Sequence, residues 1–178
     1  MAAEIEAKLK VDSLNGIAER LSELGAEYVD RQHQKDYYFD DFDRSFSKSD
    51  RCLRLRRQST ADTEKIFLTY KGPKEKTNLK KRQEIEIEVK DISSAEDLLG
   101  AIGFERTLVI EKERELWHLD NCIIALDELP VLGFFVEIEG PDEQLIIAVQ
   151  KKLELANLPH ITESYASLAV KNKSQIEK

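Results

Sequence analysis

Two glutamates and a lysine alternate near the start of the chain, at Glu4, Glu6 and Lys8. Side chains along a β-strand point alternately to its two faces, so these three share one face and apolar residues take the other. Carboxylate oxygens are the ligands that Mg²⁺ and Mn²⁺ prefer, while ammonium and guanidinium groups bind phosphate oxygens. A strand that presents both kinds of group predicts a site that holds a divalent metal and a phosphate together.

The same alternation of charged and apolar residues recurs along the chain. Arginines alternate with leucines in Leu53-Arg54-Leu55-Arg56, and charged residues alternate with isoleucines near residue 85. Collected by strand parity, the candidate charged face carries Glu4, Glu6, Lys8, Arg54, Arg56, Thr69, Lys71, Arg82, Glu84, Glu86, Asp127, Glu137 and Glu139. Parity alone does not place Lys112 and Arg114, because both faces of their predicted strand are partly polar.

Eight predicted strands must position these residues. We predict strands over 3–11, 27–40, 52–58, 64–71, 79–90, 104–119, 122–128 and 133–139. Four amphipathic helices are predicted between or after them, with Asp12-Ser13 and Ser93 or Ser94 as the first two N-caps, and residues 41–50 are predicted to be a loop. Short connections favour antiparallel pairing, because parallel strands need long crossovers. The predicted fold class is α+β, with helices covering the apolar face of the sheet.

The charged face has two interpretations. An open antiparallel sheet often has one dry face and one wet face, and the wet face carries the charges. However, these side chains are bulky ions rather than the Thr, Ser and Tyr that exposed strand faces usually favour. A sheet closed into a barrel would turn the charges inward, where uncompensated charge is costly. A bound divalent metal and a polyanion would compensate those charges.

Composition limits the classes of function. The chain has 178 residues, 41% hydrophobic and 35% charged, and a formal net charge of −8, which favours one globular domain. The acidic balance argues against a general nucleic-acid binder. Two cysteines outside any CxxC pattern are expected to be free thiols in a reducing compartment. No apolar run approaches the ~20 residues of a membrane span, and no signal-peptide pattern is seen, so we expect a cytoplasmic protein without a membrane partner.

An ordered set of motifs resembles the CYTH superfamily, also called triphosphate tunnel metalloenzymes. Glu4-x-Glu6-x-Lys8 is similar to the family's ExExK motif, which alone is weak because such patterns are common by chance. Further similar stretches follow in the family's order and cover nearly the whole chain: Leu53-Arg54-Leu55-Arg56, Thr69-Tyr70-Lys71-Gly72, Arg82-x-Glu84-x-Glu86, Lys112-x-Arg114, Leu126-Asp127-Glu128 and the segment 133–139. The resemblance implies a closed antiparallel eight-stranded β-barrel that forms a tunnel, with amphipathic helices packed outside.

The resemblance also implies a function. The short length and the Leu126-Asp127-Glu128 to Glu139 ending look most similar to class IV adenylyl cyclases, which convert ATP to cyclic AMP and pyrophosphate and need Mg²⁺ or Mn²⁺. One alternative is a triphosphatase acting on inorganic triphosphate, thiamine triphosphate or nucleoside triphosphates. Another is a non-catalytic module that binds nucleotide or polyphosphate. A homodimer is suggested, and the predicted domain spans 1–170, with a frayed tail at 171–178.

By the same resemblance, the charged face divides into two roles. The implied metal ligands are Glu4, Glu6, Glu137 and Glu139, and the further candidates Glu84, Glu86 and Asp127 either bind metal or orient a cation. The implied triphosphate-binding residues are Lys8, Arg54, Arg56, Lys71, Arg82, Lys112 and Arg114. The predicted catalytic set is Glu4, Glu6, Lys8, Glu137 and Glu139.

Two further segments have open roles. The lysine-rich loop at 74–78 is either a lid over the substrate or a solvated hairpin tip. The aromatic run Tyr37-Tyr38-Phe39 either stacks on a nucleobase or belongs to the core.

Overall fold

The computed structural model describes residues 3–75 and 79–176, with the side chains of 5–75 and 79–172. Its elements follow in the order β1 (Ala3–Val11), α1 (Asn15–Glu23), β2 (Glu27–Asp41), α2 (Ser45–Lys48), β3 (Cys52–Ser59), β4 (Glu64–Lys71), β5 (Lys80–Val89), α3 (Ile92–Ala101), β6 (Phe104–Leu119), β7 (Cys122–Leu129), β8 (Gly133–Glu139), α4 (Glu143–Lys152) and α5 (Tyr165–Ile176). The predicted α+β class is therefore confirmed.

The eight strands form one closed antiparallel barrel, as predicted. Their order around the barrel is β1-β5-β4-β3-β2-β6-β7-β8. The barrel closes between the first and last strands, where Glu6 is in register with Glu139 and Lys8 with Glu137. Alternate residues of each strand must face the inside of a closed sheet. The charged residues that share strand parity are thereby brought into one interior.

Most of the apolar residues lie outside the barrel, beneath the helices. The largest cluster joins α1 and α4 to β1, β7 and β8, and includes Leu9, Leu21, Ile138 and Ile146. A second cluster joins α3 to β2 and β3. A third cluster differs from these two, because its strand residues Phe135, Ile110 and Leu129 have the inward parity of the charged residues and pack there with Tyr165 of α5. The hydrophobic burial that stabilises this fold is thus largely separate from the charged interior.

The predicted loop after β2 contains a short helix, α2, so this part of the prediction was wrong. Asp40 accepts hydrogen bonds from the backbone N–H groups of Phe46 and Ser47, each at 3.0 Å. Asp41 accepts from the backbone N–H of Ser45 at 2.7 Å. These two carboxylates supply acceptors for donors that the first turn of a helix cannot satisfy internally.

The N-caps of two helices also differ from those predicted. The cap of α3 is Asp91, whose carboxylate accepts from the backbone N–H of Ser94 at 2.7 Å. The cap position of α1 is occupied by Leu14, which makes no side-chain capping hydrogen bond. Burial of the apolar side of α1, including Ile17 and Leu21, supports that helix without a polar cap.

The end of the described chain is helical. Helix α5 continues past residue 170 to Ile176, so the domain boundary at 170 and the fraying of 171–178 stay predictions. Within the described ranges, we find no helix with the length and apolar content needed to cross a bilayer. Cys52 and Cys122 are free thiols, as expected.

Candidate functional site

The barrel encloses a cavity of about 480 Å³, which we call the tunnel. Eight cations line its described part, namely Lys8, Arg54, Arg56, Lys71, Lys80, Arg82, Lys112 and Arg114. Six carboxylates accompany them, namely Glu6, Asp36, Glu84, Glu86, Glu137 and Glu139. The described lining therefore has an excess of two positive charges, which favours an anionic ligand.

The tunnel brings together most of the predicted site residues. All seven predicted triphosphate-binding cations line it, as do Glu6, Glu84, Glu86, Glu137 and Glu139. Glu4 is in register with Arg82 across β1 and β5, but its side chain lies outside the described residues. Thr69 is fully buried and donates a hydrogen bond to Glu86 at 2.7 Å. The predicted roles of these residues in binding and catalysis stay predictions.

Five residues of the tunnel lining and the fully buried Asp127 behind them form one region, which we call the Asp127 cluster: Lys8, Lys112, Arg114, Asp127, Glu137 and Tyr165. Asp127 at its centre accepts two hydrogen bonds from the Arg114 guanidinium, at 2.6 and 2.5 Å. It also accepts from Lys112 Nζ at 3.2 Å and from the Tyr165 hydroxyl at 2.7 Å. Four donors compensate the burial of this carboxylate. Of the two roles predicted for Asp127, this geometry favours the orientation of cations over the binding of metal.

Lys8 and Tyr165 complete the Asp127 cluster. Lys8 Nζ lies 3.2 Å from Glu137 Oε1, donates to the Glu163 carbonyl at 3.1 Å, and lies 3.9 Å from the centroid of the Tyr165 ring. Lys112 Nζ lies 4.8 Å from the same centroid. Strand parity cannot identify a residue on a helix, so the sequence prediction missed Tyr165.

Burial changes the proton affinities of the Asp127 cluster. Desolvation, assisted by the positive charge of Arg114, lowers the pKa of Lys112 to about 7 even though Asp127 lies beside it. Desolvation also lowers the pKa of Lys8, against the opposing charge of Glu137. Burial alone would raise the pKa of Glu137, but Lys8 and Arg114 hold it well below its usual range. A polyanion in the tunnel would raise the pKa of Lys112 again.

Two arginines of β3 and β5, which we call the Arg54–Arg82 pair, are less completely satisfied. Both are buried, and among the described residues the Nε atom of each has no hydrogen-bond partner. Arg54 donates to Thr69 at 3.3 Å and lies 3.8 and 3.7 Å from the carboxylates of Asp36 and Glu86. For Arg82 we find no hydrogen bond or salt bridge in the part of the chain described. Unpartnered buried donors are costly, and anionic oxygens of a ligand would satisfy them.

The sequence prediction also missed Asp36 and Lys80. Asp36 accepts two hydrogen bonds from the Arg56 guanidinium, at 2.6 and 2.8 Å. Although burial acts to raise the pKa of Asp36, the guanidinium of Arg56 keeps it below its ordinary value. Lys80 pairs with Glu6. Lys80 lies in the strand predicted over 79–90 and has the same parity as Arg82, so that signal was present and was overlooked.

Two open assignments are partly resolved. In the aromatic run of β2, Tyr38 lines the tunnel, whereas Phe39 is buried in the cluster beneath α3. After β4, the Lys74 ammonium pairs with Asp50 at 3.0 Å. Residues 76–78 lie outside the described residues, so the lid stays a prediction.

The carboxylates of the tunnel fit a divalent metal by their chemistry. Glu6 and Glu139 are directly in register at the closing seam, and Glu137 follows on the same face of β8. Across the described residues, no three His, Cys, Asp or Glu side chains cluster closely enough to hold a metal by themselves. Mg²⁺ is often bound by one or two carboxylates together with the phosphates of a substrate. The donor set therefore suits a metal that binds together with a polyphosphate.

Comparisons with known proteins agree with this geometry. The family model described as CYTH domain matches residues 2–167. "Putative adenylate cyclase MJ0240" of Methanocaldococcus jannaschii is 34% identical over 136 residues, which cover 76% of this chain and 75% of that protein. The structure of the PH1819 protein from Pyrococcus horikoshii OT3 superposes with a TM-score of 0.83 at 31% identity, covering 94% of this chain and 98% of that one.

The fold is also shared at lower identity. "Putative adenylyl cyclase HpAC1" from Hippeastrum, which is described as revealing a dominant triphosphatase activity, superposes with a TM-score of 0.70 at 18% identity. The match covers 93% of this chain and 94% of that one. At this identity the likeness concerns the fold alone.

Proposed function

The chain belongs to the CYTH domain family, and we propose that it is a metal-dependent enzyme that acts on the triphosphate group of its substrate. One observation carries this proposal: the described lining of the buried tunnel has an excess of cations, and two of them, Arg54 and Arg82, have Nε donors without partners among the described residues. A polyphosphate is a polyanion whose oxygens would satisfy such donors. Guanidinium groups suit phosphate because they donate two parallel hydrogen bonds.

The carboxylates support catalysis over simple anion binding. Glu6, Glu137 and Glu139 lie among the cations of the tunnel, and a protein that only captured anions would gain nothing from them. We assign these three, with Glu4, as the residues that would hold Mg²⁺ or Mn²⁺. The metal would act as a Lewis acid that neutralises charge on the phosphate oxygens.

The remaining tunnel residues would position the substrate. Transfer at phosphorus needs mainly positioning and electrostatic stabilisation of the developing charge. Arg54, Arg56, Arg82 and Lys71 project from β3, β4 and β5 and would bind phosphate oxygens. The Asp127 cluster would hold Arg114 and Lys112 in place for the same purpose.

Adenylyl cyclase is the proposed activity. In that reaction the ribose 3′-hydroxyl of ATP attacks the α-phosphorus, and pyrophosphate leaves. The name of the M. jannaschii relative, which shares 34% identity, supports this choice. The second candidate is a triphosphatase, in which water attacks a terminal phosphorus and orthophosphate leaves. The ionic groups of the tunnel suit phosphate and metal in either reaction, so they support both candidates equally.

The test is to incubate the purified chain with Mg²⁺ or Mn²⁺ and either ATP or inorganic tripolyphosphate, and to resolve the products by chromatography. Cyclic AMP and pyrophosphate would support the cyclase, and orthophosphate without cyclic AMP would support the triphosphatase. Glu139→Gln should raise the metal concentration needed, because this exposed glutamate lines the tunnel, while Glu128→Gln on the outer face should not. Absence of turnover and of any metal-dependent binding would contradict both activities.

A further inference from the structure

Residues 161–165, which we call the C-terminal segment, hold Lys8 of β1 through both its backbone and its side chain. The backbone N–H of Ile161 donates a hydrogen bond to the Lys8 carbonyl at 2.8 Å. The Lys8 ammonium in turn donates to the Glu163 carbonyl at 3.1 Å. Two hydrogen bonds in opposite directions therefore tie the C-terminal segment to a residue that lines the tunnel.

The start of α5 fixes the position of Tyr165, the last residue of the C-terminal segment. The Ser164 hydroxyl accepts a hydrogen bond from the backbone N–H of Ser167 at 3.1 Å, so Ser164 acts as an N-cap. Tyr165 is the first residue of α5 and is 6% exposed. Its ring packs edge-to-face against Phe135, with 5.2 Å between the ring centroids. The cap and this packing place the Tyr165 side chain in the lining of the tunnel.

Tyr165 contacts three charged groups of the Asp127 cluster. Its ring centroid lies 3.9 Å from Lys8 Nζ and 4.8 Å from Lys112 Nζ, and its hydroxyl donates to Asp127 at 2.7 Å. The face of an aromatic ring attracts a cation, and the attraction is stronger where water is excluded. Lys8 is 2% exposed and Lys112 is 3% exposed. The ring of Tyr165 therefore restricts where these two ammonium groups can lie.

The placement of Lys8 depends on contacts from both ends of the chain. Its ammonium has one carboxylate partner, Glu137 at 3.2 Å, besides the Glu163 carbonyl and the Tyr165 ring. A lysine side chain has a flexible stem of four carbons, so one carboxylate alone does not fix its end. A displacement of about 1 Å of a group in an active site can cost about 10²-fold in rate. The contacts from the C-terminal segment therefore matter for any reaction that uses Lys8.

The surroundings of Tyr165 do not suit proton transfer. Burial, together with the negative charge of Asp127, raises the pKa of the Tyr165 hydroxyl well above its ordinary value. The phenol therefore stays protonated at neutral pH, and its proton is directed at Asp127. Tyr165 acts on its neighbours through the face of its ring and through this one hydrogen bond.

We propose that Tyr165 is a positioning residue that, together with the Glu163 carbonyl, holds Lys8 in place for the reaction in the tunnel. This inference rests on the proposed function and adds to it a contribution from a helix outside the barrel strands. The ring of Tyr165 carries the effect on Lys8, and the hydroxyl supports Asp127. Loss of the ring should therefore lower turnover, whereas loss of the hydroxyl alone should mainly lower stability.

The test compares Tyr165→Leu, which removes the ring, with Tyr165→Phe, which keeps it. For each protein, kcat and KM are measured with Mg²⁺ or Mn²⁺ on the better substrate of ATP and inorganic tripolyphosphate. Circular dichroism at the assay temperature verifies that each variant is folded. Tyr28→Leu is the matched control, because Tyr28 is 49% exposed, packs against Trp117, and does not belong to the described lining of the tunnel.

We expect Tyr165→Leu to lower kcat about 10²-fold and to change KM less than about threefold, because eight cations share the binding of the substrate. Tyr165→Phe should retain kcat within about threefold, and Tyr28→Leu within about twofold. In a Lys8→Met background, Tyr165→Leu should have little further effect, since it acts through Lys8. Equal losses of kcat for Tyr165→Leu and Tyr165→Phe, no loss for either, or full additivity with Lys8→Met would overturn the inference.

A spectroscopic measurement tests the placement of Lys8 without turnover. Lysines are labelled with ¹³C at the ε-carbon, and the NMR signals of Lys8 and Lys112 are assigned with Lys8→Met and Lys112→Met. The ring current of Tyr165 should shift the Lys8 ε-protons upfield in the wild type and in Tyr165→Phe, but not in Tyr165→Leu. A Lys8 signal that Tyr165→Leu does not move would overturn the inference even in an active enzyme. If the wild type turns over neither substrate, the proposed function fails, and these signals still decide whether Tyr165 places Lys8.

Discussion

The Asp127 cluster and the Arg54–Arg82 pair are both buried cationic regions of one tunnel, but they differ in how completely their charges are paired. Asp127 accepts four hydrogen bonds from Arg114, Lys112 and Tyr165. Arg54 and Arg82 each retain a buried Nε donor that has no partner among the described residues. The Asp127 cluster therefore satisfies its central carboxylate without a ligand, whereas the Arg54–Arg82 pair leaves buried donors unsatisfied in the described part of the chain.

This difference indicates that the two regions have different roles, one in stability and the other in binding. A charge network whose members satisfy one another stabilises the fold and fixes its cations in position. Buried donors that stay unsatisfied in the fold cost stability, and functional sites often carry such costs in return for binding. Mutations in the Asp127 cluster should therefore mainly lower stability, and mutations in the Arg54–Arg82 pair should mainly lower activity.

The largest effect on stability is expected for Asp127→Asn. The amide is similar in size but uncharged, so it leaves Lys112 and Arg114 buried without their carboxylate, and removal of one partner from a buried ion network costs about 3–5 kcal/mol. Urea unfolding measures the change in free energy. Glu128→Gln, one residue along on the exposed outer face, is the matched control and should change little. A loss of less than about 1 kcal/mol for Asp127→Asn would show that the cluster does not stabilise the fold.

Arg82→Gln should show the reverse pattern. Removing a buried charge for which the described residues supply no partner should leave the free energy of unfolding unchanged or higher. Activity should fall about 10²- to 10³-fold, the typical cost of losing one donor to a developing negative charge. Arg82→Lys keeps the charge but not the Nε donor and should recover part of the activity.

The control for Arg82 is Arg106→Gln on the outside of the barrel. Arg106 is exposed and pairs with Glu96 at 3.2 Å, so its loss should change neither the free energy of unfolding nor the activity appreciably. If Arg82→Gln destabilised the protein as much as Asp127→Asn and left turnover intact, the distinction between the two regions would be wrong.

Tyr165→Phe tests whether the last helix supports the Asp127 cluster. The change deletes the hydroxyl that donates to Asp127 at 2.7 Å and keeps the ring beneath Lys8. A hydrogen bond to a charged group is worth about 1.5–3 kcal/mol, and unfolding in urea should show a loss of that size. Tyr38→Phe is the control, since no hydrogen bond of the Tyr38 hydroxyl is found among the described residues. Equal losses for the two variants would assign the effect to tyrosine packing instead.

Strand periodicity predicted the strands and most of the residues that line the tunnel, because both depend on a repeat of two residues, whereas closure into a barrel was implied by the resemblance to the CYTH superfamily. The alternation of Arg54 and Arg56 with leucines, for example, requires one charged face and one apolar face in any sheet. The order of the motifs then selected a closed tunnel over an open sheet. The two predicted metal ligands Glu6 and Glu139 do lie side by side, because the barrel closes between β1 and β8.

The remaining residues could not be predicted because their placement depends on tertiary packing. Tyr165 belongs to a helix that reaches the interior from outside the sheet, and no local period marks it. Asp40 holds α2 through backbone hydrogen bonds that a loop composition does not reveal. The sequence also does not reveal the cavity that residues of α2 and α5 line together, because these helices lie more than a hundred residues apart in the chain.

Per pH unit, the smallest expected change in stability is a pH dependence that originates in the Asp127 cluster. Lys112 has a pKa of about 7 in the fold and about 10.4 in an unfolded chain. Between these values the unfolded chain binds a proton that the folded chain does not, so the free energy of unfolding should rise with pH, by at most about 1.4 kcal/mol per unit. This contribution is fully present above the unfolded pKa and is lost as the pH falls through the folded one.

Urea unfolding between pH 7 and about 9.5 measures this slope, below the range in which tyrosines ionise in the unfolded chain. Lys112→Met should remove most of it, and the remainder belongs to Lys8, whose pKa burial also lowers. Addition of tripolyphosphate with Mg²⁺ should flatten the slope in the wild type, because a bound polyanion favours the charged form of Lys112. A stability that falls between pH 7 and 9 would mean that Lys112 stays charged beside Asp127. The cluster would then be a fully ionised network, and only the Arg54–Arg82 pair would respond electrostatically to a ligand.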